Sequence, residues 1–178
     1  TASDALSLDR AVRAAITRAG PTCAEMQPLC AGLSFPAATG TSAELGNNYG
    51  CLGSVPNPAW YYLRMATAGE MRTLLAGIAD VDFALWGPYA TLDGATGACG
   101  SLPSPIDCSY SGSVTETPVV PASSQTGEYY ILLFTNYANV EQDVSLRRAM
   151  SLQLVTLMRQ RASLSHDLRA DYLVKTRK

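Results

Sequence analysis

The chain has 178 residues, 47% hydrophobic and 16% charged, which suits one folded domain with a real core and excludes a disordered segment. No run of eighteen apolar residues occurs, so no transmembrane helix is predicted. The formal charge of −2 hides a segregation: up to Val144 five Arg face thirteen Asp or Glu, a formal −8, whereas from Ser145 to Lys178 eight Lys or Arg face two Asp, a formal +6. Opposite fields on one molecule favour head-to-tail association or a tail folded back on its own body. The basic residues are spread out, so nucleic acid is not the expected partner.

Thr1 opens on neither a basic nor an apolar leader, and the expectation is a chain whose secretory signal has been removed. Residues 7–19, "SLDRAVRAAITRA", read as a short helix. Ser7 is the N-cap, Asp9 sits in the first turn, Arg18 in the last, and Leu8, Val12 and Ile16 form one apolar stripe. Gly20–Pro21 stops it. The predicted organisation is an N-terminal helical extension over 1–20, a body over 21–148 and a basic extension over 149–178.

From Pro21 onward Gly, Pro, Ser, Thr and Asn punctuate short runs of β-branched and aromatic residues, the texture of an antiparallel β-sandwich. Predicted strands are 59–65, 71–77, 81–87, 116–121, 128–136 and 142–148. The run 81–87 alternates, with Val81, Phe83 and Leu85 on one face and Asp82, Ala84 and Trp86 on the other. "EYYILLFTN" is apolar nearly throughout and belongs in the middle of a sheet. In "NNYGCLGSVPNPAWYYLRM", Pro56 and Pro58 should hold the approach extended before Trp60, Tyr61 and Tyr62 enter the strand. The last segment carries two periods: Val144, Leu146, Met150, Leu152 and Leu154 alternate, while Met150, Leu154, Leu157, Leu164, Leu168 and Tyr172 fit a helical stripe broken at Arg161. A strand to about residue 148 followed by helix is expected, since good helix formers dominate there and neither Gly nor Pro interrupts.

Five cysteines, at 23, 30, 51, 99 and 108, contain no C-x-x-C pair, and the chain has one histidine, His166. Zinc and redox motifs are therefore not expected, and disulfides in an oxidising compartment are; buried free thiols are the alternative. The expected bridges are Cys99–Cys108, closing a short loop, and Cys30–Cys51, leaving Cys23 unpaired.

With one histidine, which reads as exposed on the terminal helix, no Ser-His-Asp set and no activated Cys nucleophile can be assembled. No enzymatic activity and no obligatory cofactor are expected. Asp80 and Asp82 flank Val81 and share a strand face, a pair suited to calcium, with Asp93, Asp107 or Glu116 as further oxygen donors. A solvated acidic edge that discourages aggregation is the plainer reading of the same residues. Tyr61, Trp86, Tyr89 and Tyr137 are candidates for surface aromatics that stack on sugars, although most aromatics of a sandwich are core.

The stretches "CAEMQPLC", "NYGCLGSVPNPAWYYLRM", "DVDFALWGPY", "DCSYSGSVTE" and "GEYYILLFTNYANVEQDVSL" occur in that order. They resemble an extracellular cysteine-containing module of Bacteroidetes surface proteins, of the gliding-motility-associated, type IX-secreted adhesin kind. More loosely, they resemble the pre-peptidase C-terminal (PPC-like) β-sandwich. The resemblance covers about residues 21–147 and implies a mainly β, jelly-roll or PPC-like sandwich, secreted and displayed at the cell surface; calcium at Asp80 and Asp82 is among its implications. The function expected is that of a non-enzymatic structural or adhesive protein that self-assembles into a filament or surface layer. Its contacts would come from Arg147, Arg148, Arg159, Arg161, Arg169 and Lys175. The alternative is a carbohydrate-binding or enzyme-accessory module with a surface glycan or a protein as ligand.

Overall fold

The computed structural model describes residues 20–29 and 33–148. After a 3-10 turn at Cys23–Glu25 come β1 (Gln27–Pro28), β2 (Leu33–Pro36), β3 (Pro58–Arg64), β4 (Met71–Ala76) and β5 (Asp82–Tyr89). There follow helix α1 (Leu92–Gly97), β6 (Asp107–Ser109), β7 (Thr115–Glu116), β8 (Val119–Val120), β9 (Tyr129–Thr135) and β10 (Asp143–Arg148). One sheet has the order β1-β3-β9-β5-β6, the other β2-β10-β4-β7, with β8 also paired to β4. The result is the expected mainly β sandwich, antiparallel except where β1 runs parallel to β3.

The six predicted strands are present with small shifts at their ends. The run 116–121 is split, because Pro118 has no N–H for the ladder; its carbonyl instead accepts from Thr73 N at 3.0 Å while β7 and β8 pair with β4 on either side. Helix α1 escaped prediction since "LDGATG" holds two glycines. It starts because Thr91 Oγ1 caps Gly94 N at 3.0 Å. The helices expected over 1–20 and beyond residue 150 lie outside the described residues.

The strand β9 is central, as its sequence requires, and pairs along its full length with β3, from Pro58↔Thr135 to Arg64↔Tyr129. Its two faces enter two cores. Tyr130, Leu132 and Phe134 meet Tyr61, Leu63, Phe83, Leu85, Leu75, Val144 and Leu146 between the sheets, while Ile131 and Leu133 join Trp60, Ala84 and Trp86 on the outer face. That outer face is roofed by α1 and the segment after it, the Cys23 turn and the loop of residues 41–56, which contribute Ala95, Leu102, Cys23, Met26 and Leu52. Trp60 and Trp86 stack there at 5.8 Å, and Trp86 Nε1 donates to Pro103 O at 2.9 Å. Each buried ring contributes roughly 2–3 kcal/mol.

Disulfides fasten this roof, with pairings that correct the expected ones: Cys23 joins Cys99 and Cys51 joins Cys108. Cys23 is fully buried and bonded rather than free, and Cys30 lies outside the described residues. Sequence spacing favoured the nearest pair, but Cys99 and Cys108 sit on different elements, the end of α1 and β6, each facing a separate part of the roof.

The approach to β3 is not extended throughout. Asn57, between the two prolines, has φ 53°, and its buried amide begins a relay. Asn57 Nδ2 donates to Asn136 O and Asn139 Oδ1, both at 3.0 Å, while its Oδ1 accepts from Thr41 N at 2.9 Å. Asn136 Nδ2 donates to Ala38 O and Val140 O, and its Oδ1 accepts from Gln142 Nε2 at 2.6 Å. Asn136 is fully buried, so Asn136→Ala should leave Ala38 O, Val140 O and Gln142 Nε2 without that partner and cost about 3 kcal/mol. Urea unfolding checks this; a loss under about 1 kcal/mol would show that the relay is dispensable.

Candidate functional site

The relay ends at the β4–β5 turn. Gln142 Oε1 accepts from Ile78 N at 2.8 Å and Ala79 N at 3.0 Å. A Cβ on Gly77 would overlap that same oxygen, so glycine lets the turn close on the amide. The 110–114 loop locks on from the other side: Gly77 N donates to Val114 O at 2.9 Å and Val81 N to Ser113 O at 3.1 Å. The turn is thereby held with Asp80 beside Asp82, the first residue of β5.

These elements enclose a pocket of about 260 Å³ lined by Asp80, Asp82, Tyr110, Ser111, Gly112 and Tyr137. Asp82 is only 1% exposed; its Oδ1 accepts from Ser111 N at 2.8 Å. Burial pushes its carboxyl up to about 6, opposed by the Ser111 bond and reinforced by the charges of Asp80 and Glu116. Asp80 is also raised, first by burial and then by Glu116, and its Oδ1 is buried without a hydrogen-bond partner. Glu116 Oε1 accepts from Ser111 Oγ at 2.6 Å, which sets a third carboxylate behind the pair.

The walls are aromatic. Tyr110 and Tyr137 meet edge to face, with centroids 5.5 Å apart and planes at 84°. The Tyr110 hydroxyl donates to that of Tyr137 at 3.3 Å. Both rings are exposed, at 43% and 40%. The loops that build the pocket also expose Ile78, Val114 and Val140. A larger hollow of about 470 Å³, bordered among the described residues by Pro36, Ala37, Thr39, Glu141, Gln142 and Asp143, has exposed carboxylates in Glu141 and Asp143.

The structure brings Asp80 and Asp82 to one pocket, with Asp80 in the β4–β5 turn rather than on the strand face that their spacing predicted. Asp93 lies in the first turn of α1, and Asp107 Oδ2 accepts from Val119 N at 2.8 Å, so neither lines the pocket. Among the described residues no group of three or more His, Cys, Asp or Glu side chains gathers closely enough to hold a metal ion. Of the expected surface aromatics, Tyr61 and Trp86 are corrected to core residues, 1% and 0% exposed. Tyr89 is half-buried with a buried hydroxyl that has no hydrogen-bond partner. Tyr137 alone of the four lines the pocket. Its partner Tyr110 was missed; "DCSYSGS" reads as a cysteine loop, and nothing local signals that Tyr110 will face a residue 27 positions away. Arg147 is exposed on β10; Arg148 closes that strand, and Arg159, Arg161, Arg169 and Lys175 lie outside the described residues.

Two disulfides belong to an oxidising, non-cytoplasmic setting, and among the described residues no helix is long and apolar enough to cross a membrane. No family model matches the chain, and no curated protein does. Among solved structures it is similar to the pre-peptidase C-terminal domain of a collagenase from Bacillus anthracis. That likeness has 10% identity and a TM-score of 0.36, over 67% of this chain and 92% of that one. It is also similar to PliG of Aeromonas hydrophila, a periplasmic inhibitor of g-type lysozyme, with 16% identity and a TM-score of 0.35, over 68% of this chain and 94% of that one.

Asp82 predicts a pH dependence. Its folded pKa lies above its unfolded value of 3.8, so the folded state holds the proton more tightly, and stability should rise as pH falls from 7 through 6 towards 4. The charges of Asp80 and Glu116 face it and add to the upward shift. The gain is on the order of 2–3 kcal/mol. Thermal melts at pH 7 and pH 5 should show about half of it in the wild type and largely lose it in Asp82→Asn; an equal slope in both would place the titration elsewhere.

Proposed function

We propose that this chain is a non-enzymatic, secreted cell-surface module of structural or adhesive type that assembles with copies of itself through its acidic body and basic terminal stretch. The observation that carries the reading is the separation of charge. Residues 20–144 hold two arginines against eleven carboxylates, a formal −9, whereas 145–178 hold a formal +6. Three of the carboxylates are concentrated around one end pocket, where they repel one another until a positive group arrives. Because the positive stretch and the acidic surface are different parts of one chain, a contact between copies is heterologous and extends into an open assembly unless its rotation closes. The disulfides and the resemblance to surface-protein modules support a place outside the cytoplasm.

A second reading, a carbohydrate-binding or accessory module, is favoured by the exposed Tyr110–Tyr137 pair above carboxylate acceptors. A glycan array distinguishes it: bound glycan lost in Tyr137→Ala supports it, while an empty array from a protein that self-associates discards it.

Sizing chromatography and negative-stain electron microscopy at about 20 mM and 500 mM salt test the first reading, since screening shortens from about 20 Å to about 4 Å between them. Ordered assemblies that weaken with salt are expected, and a monodisperse monomer at both would overturn it. Deleting 150–178 should leave a folded monomer; unfolding of the truncated chain would instead make that stretch part of the core.

A further inference from the structure

The end pocket has a chemistry that points to a particular class of ligand. Asp82 is buried to 1% exposure yet lines the cavity, and it commits one oxygen to Ser111 N. Asp80 contributes an oxygen that is buried and has no hydrogen-bond partner. Buried carboxylate oxygens left unpaired are costly, and here no arginine or lysine among the described residues pairs with them: Arg64 lies over Tyr129 and Arg72 bonds Glu70. Among the described residues, then, the pocket's carboxylates have no cationic partner, and one Asp80 oxygen has no donor.

Three kinds of ligand could supply them. A compact divalent cation wants six to eight oxygens, and the described side chains gather no group of three metal-type donors. A neutral sugar would bring donors but would leave the mutual repulsion of the carboxylates in place. A planar guanidinium brings five donors and a delocalised charge that is weakly hydrated. It also gains from aromatic faces within about 6 Å, and Tyr110 and Tyr137 form the wall. A cavity of about 260 Å³ has room for that group and its alkyl stem.

We propose that the pocket is a socket for a guanidinium group, filled by an arginine from the basic 145–178 stretch of a neighbouring copy. The socket's chemistry stands on the pocket alone; the source of the arginine rests on the assembly reading above.

Nuclear magnetic resonance of the full chain tests the socket, with Nα-acetyl-arginine methylamide titrated at low salt and at a protein concentration where sizing finds separate copies. The amide signals of Ser111 and Gly112 should shift and saturate. The citrulline analogue, neutral and of the same shape, should produce no saturable shift. Asp82→Asn should weaken binding about tenfold or more, and Tyr137→Leu, at an exposed position that leaves the fold unaltered, about threefold. Equal responses to the arginine and citrulline probes would overturn the socket, as would saturation by calcium chloride that blocks the arginine probe.

The source is tested by sizing at low salt. Asp80→Asn and Asp82→Asn should shift the assembly towards monomer, and wild-type assembly in both would overturn this contact. If the wild type itself never assembles, the assembly reading and the arginine's source fail together, whereas the titration still decides the chemistry of the socket.

Discussion

Three neighbouring strands, β3, β9 and β5, are apolar on both faces, and this constraint organises everything else. A sheet with one wet face needs a single partner layer; a sheet with two dry faces needs two. The second sheet covers one side, but its strands are short and include the exposed Leu74 and Arg72, so it has a wet outer face of its own. The other side of the first sheet must be closed by irregular chain, which holds little regular hydrogen bonding with which to stay down. Covalent bonds substitute for it. Cys23–Cys99 ties the N-terminal turn to the end of α1, and Cys51–Cys108 ties the long loop to β6. The stacked tryptophans beneath are the apolar load that makes the roof worth closing.

At the pocket end the same need is met by amides. Asn57, Asn136 and Gln142 are all buried, and each spends both ends of its side chain on backbone or on the next amide. Buried polar groups are stabilising only when fully partnered, and here the partnering doubles as loop construction. Each backbone group satisfied is a point at which the 38–41, 77–80 or 136–142 segment is pinned. The rigidity passes directly to the pocket, because the turn gripped by Gln142 carries Asp80 and the loop next to it carries Ser111.

That rigid frame tolerates an arrangement that is unfavourable by itself. Two carboxylates with a third behind them, partly out of water, cost stability when ionised. Such tension persists only where the surroundings over-determine it, and it marks a surface that gains by meeting an opposite charge. The pocket offers carboxylate acceptors and aromatic walls, a chemistry suited to binding a cationic group.

Much of the frame was legible in the residues. Alternation located β5, the unbroken apolar run placed β9 at the centre of its sheet, and proline and glycine punctuation delimited the longer strands, since these signals are local and follow from backbone geometry. The acidic character of the body and the proximity of Asp80 to Asp82 were equally visible. Tertiary structure decided the rest. Which aromatics are core depends on whether a second layer covers the outer face, so Trp86 and Tyr61 could not be sorted from Tyr137 by strand parity. The cysteine partners depend on how the roof folds over β3 and β5, and spacing along the chain carries no record of that. Tyr110 becomes a wall of the pocket only because an amide relay, begun at Asn57, brings loops together across separations of 60 to 80 residues. Composition and periodicity report the nearest neighbours of a residue, whereas a pocket is made by its distant ones.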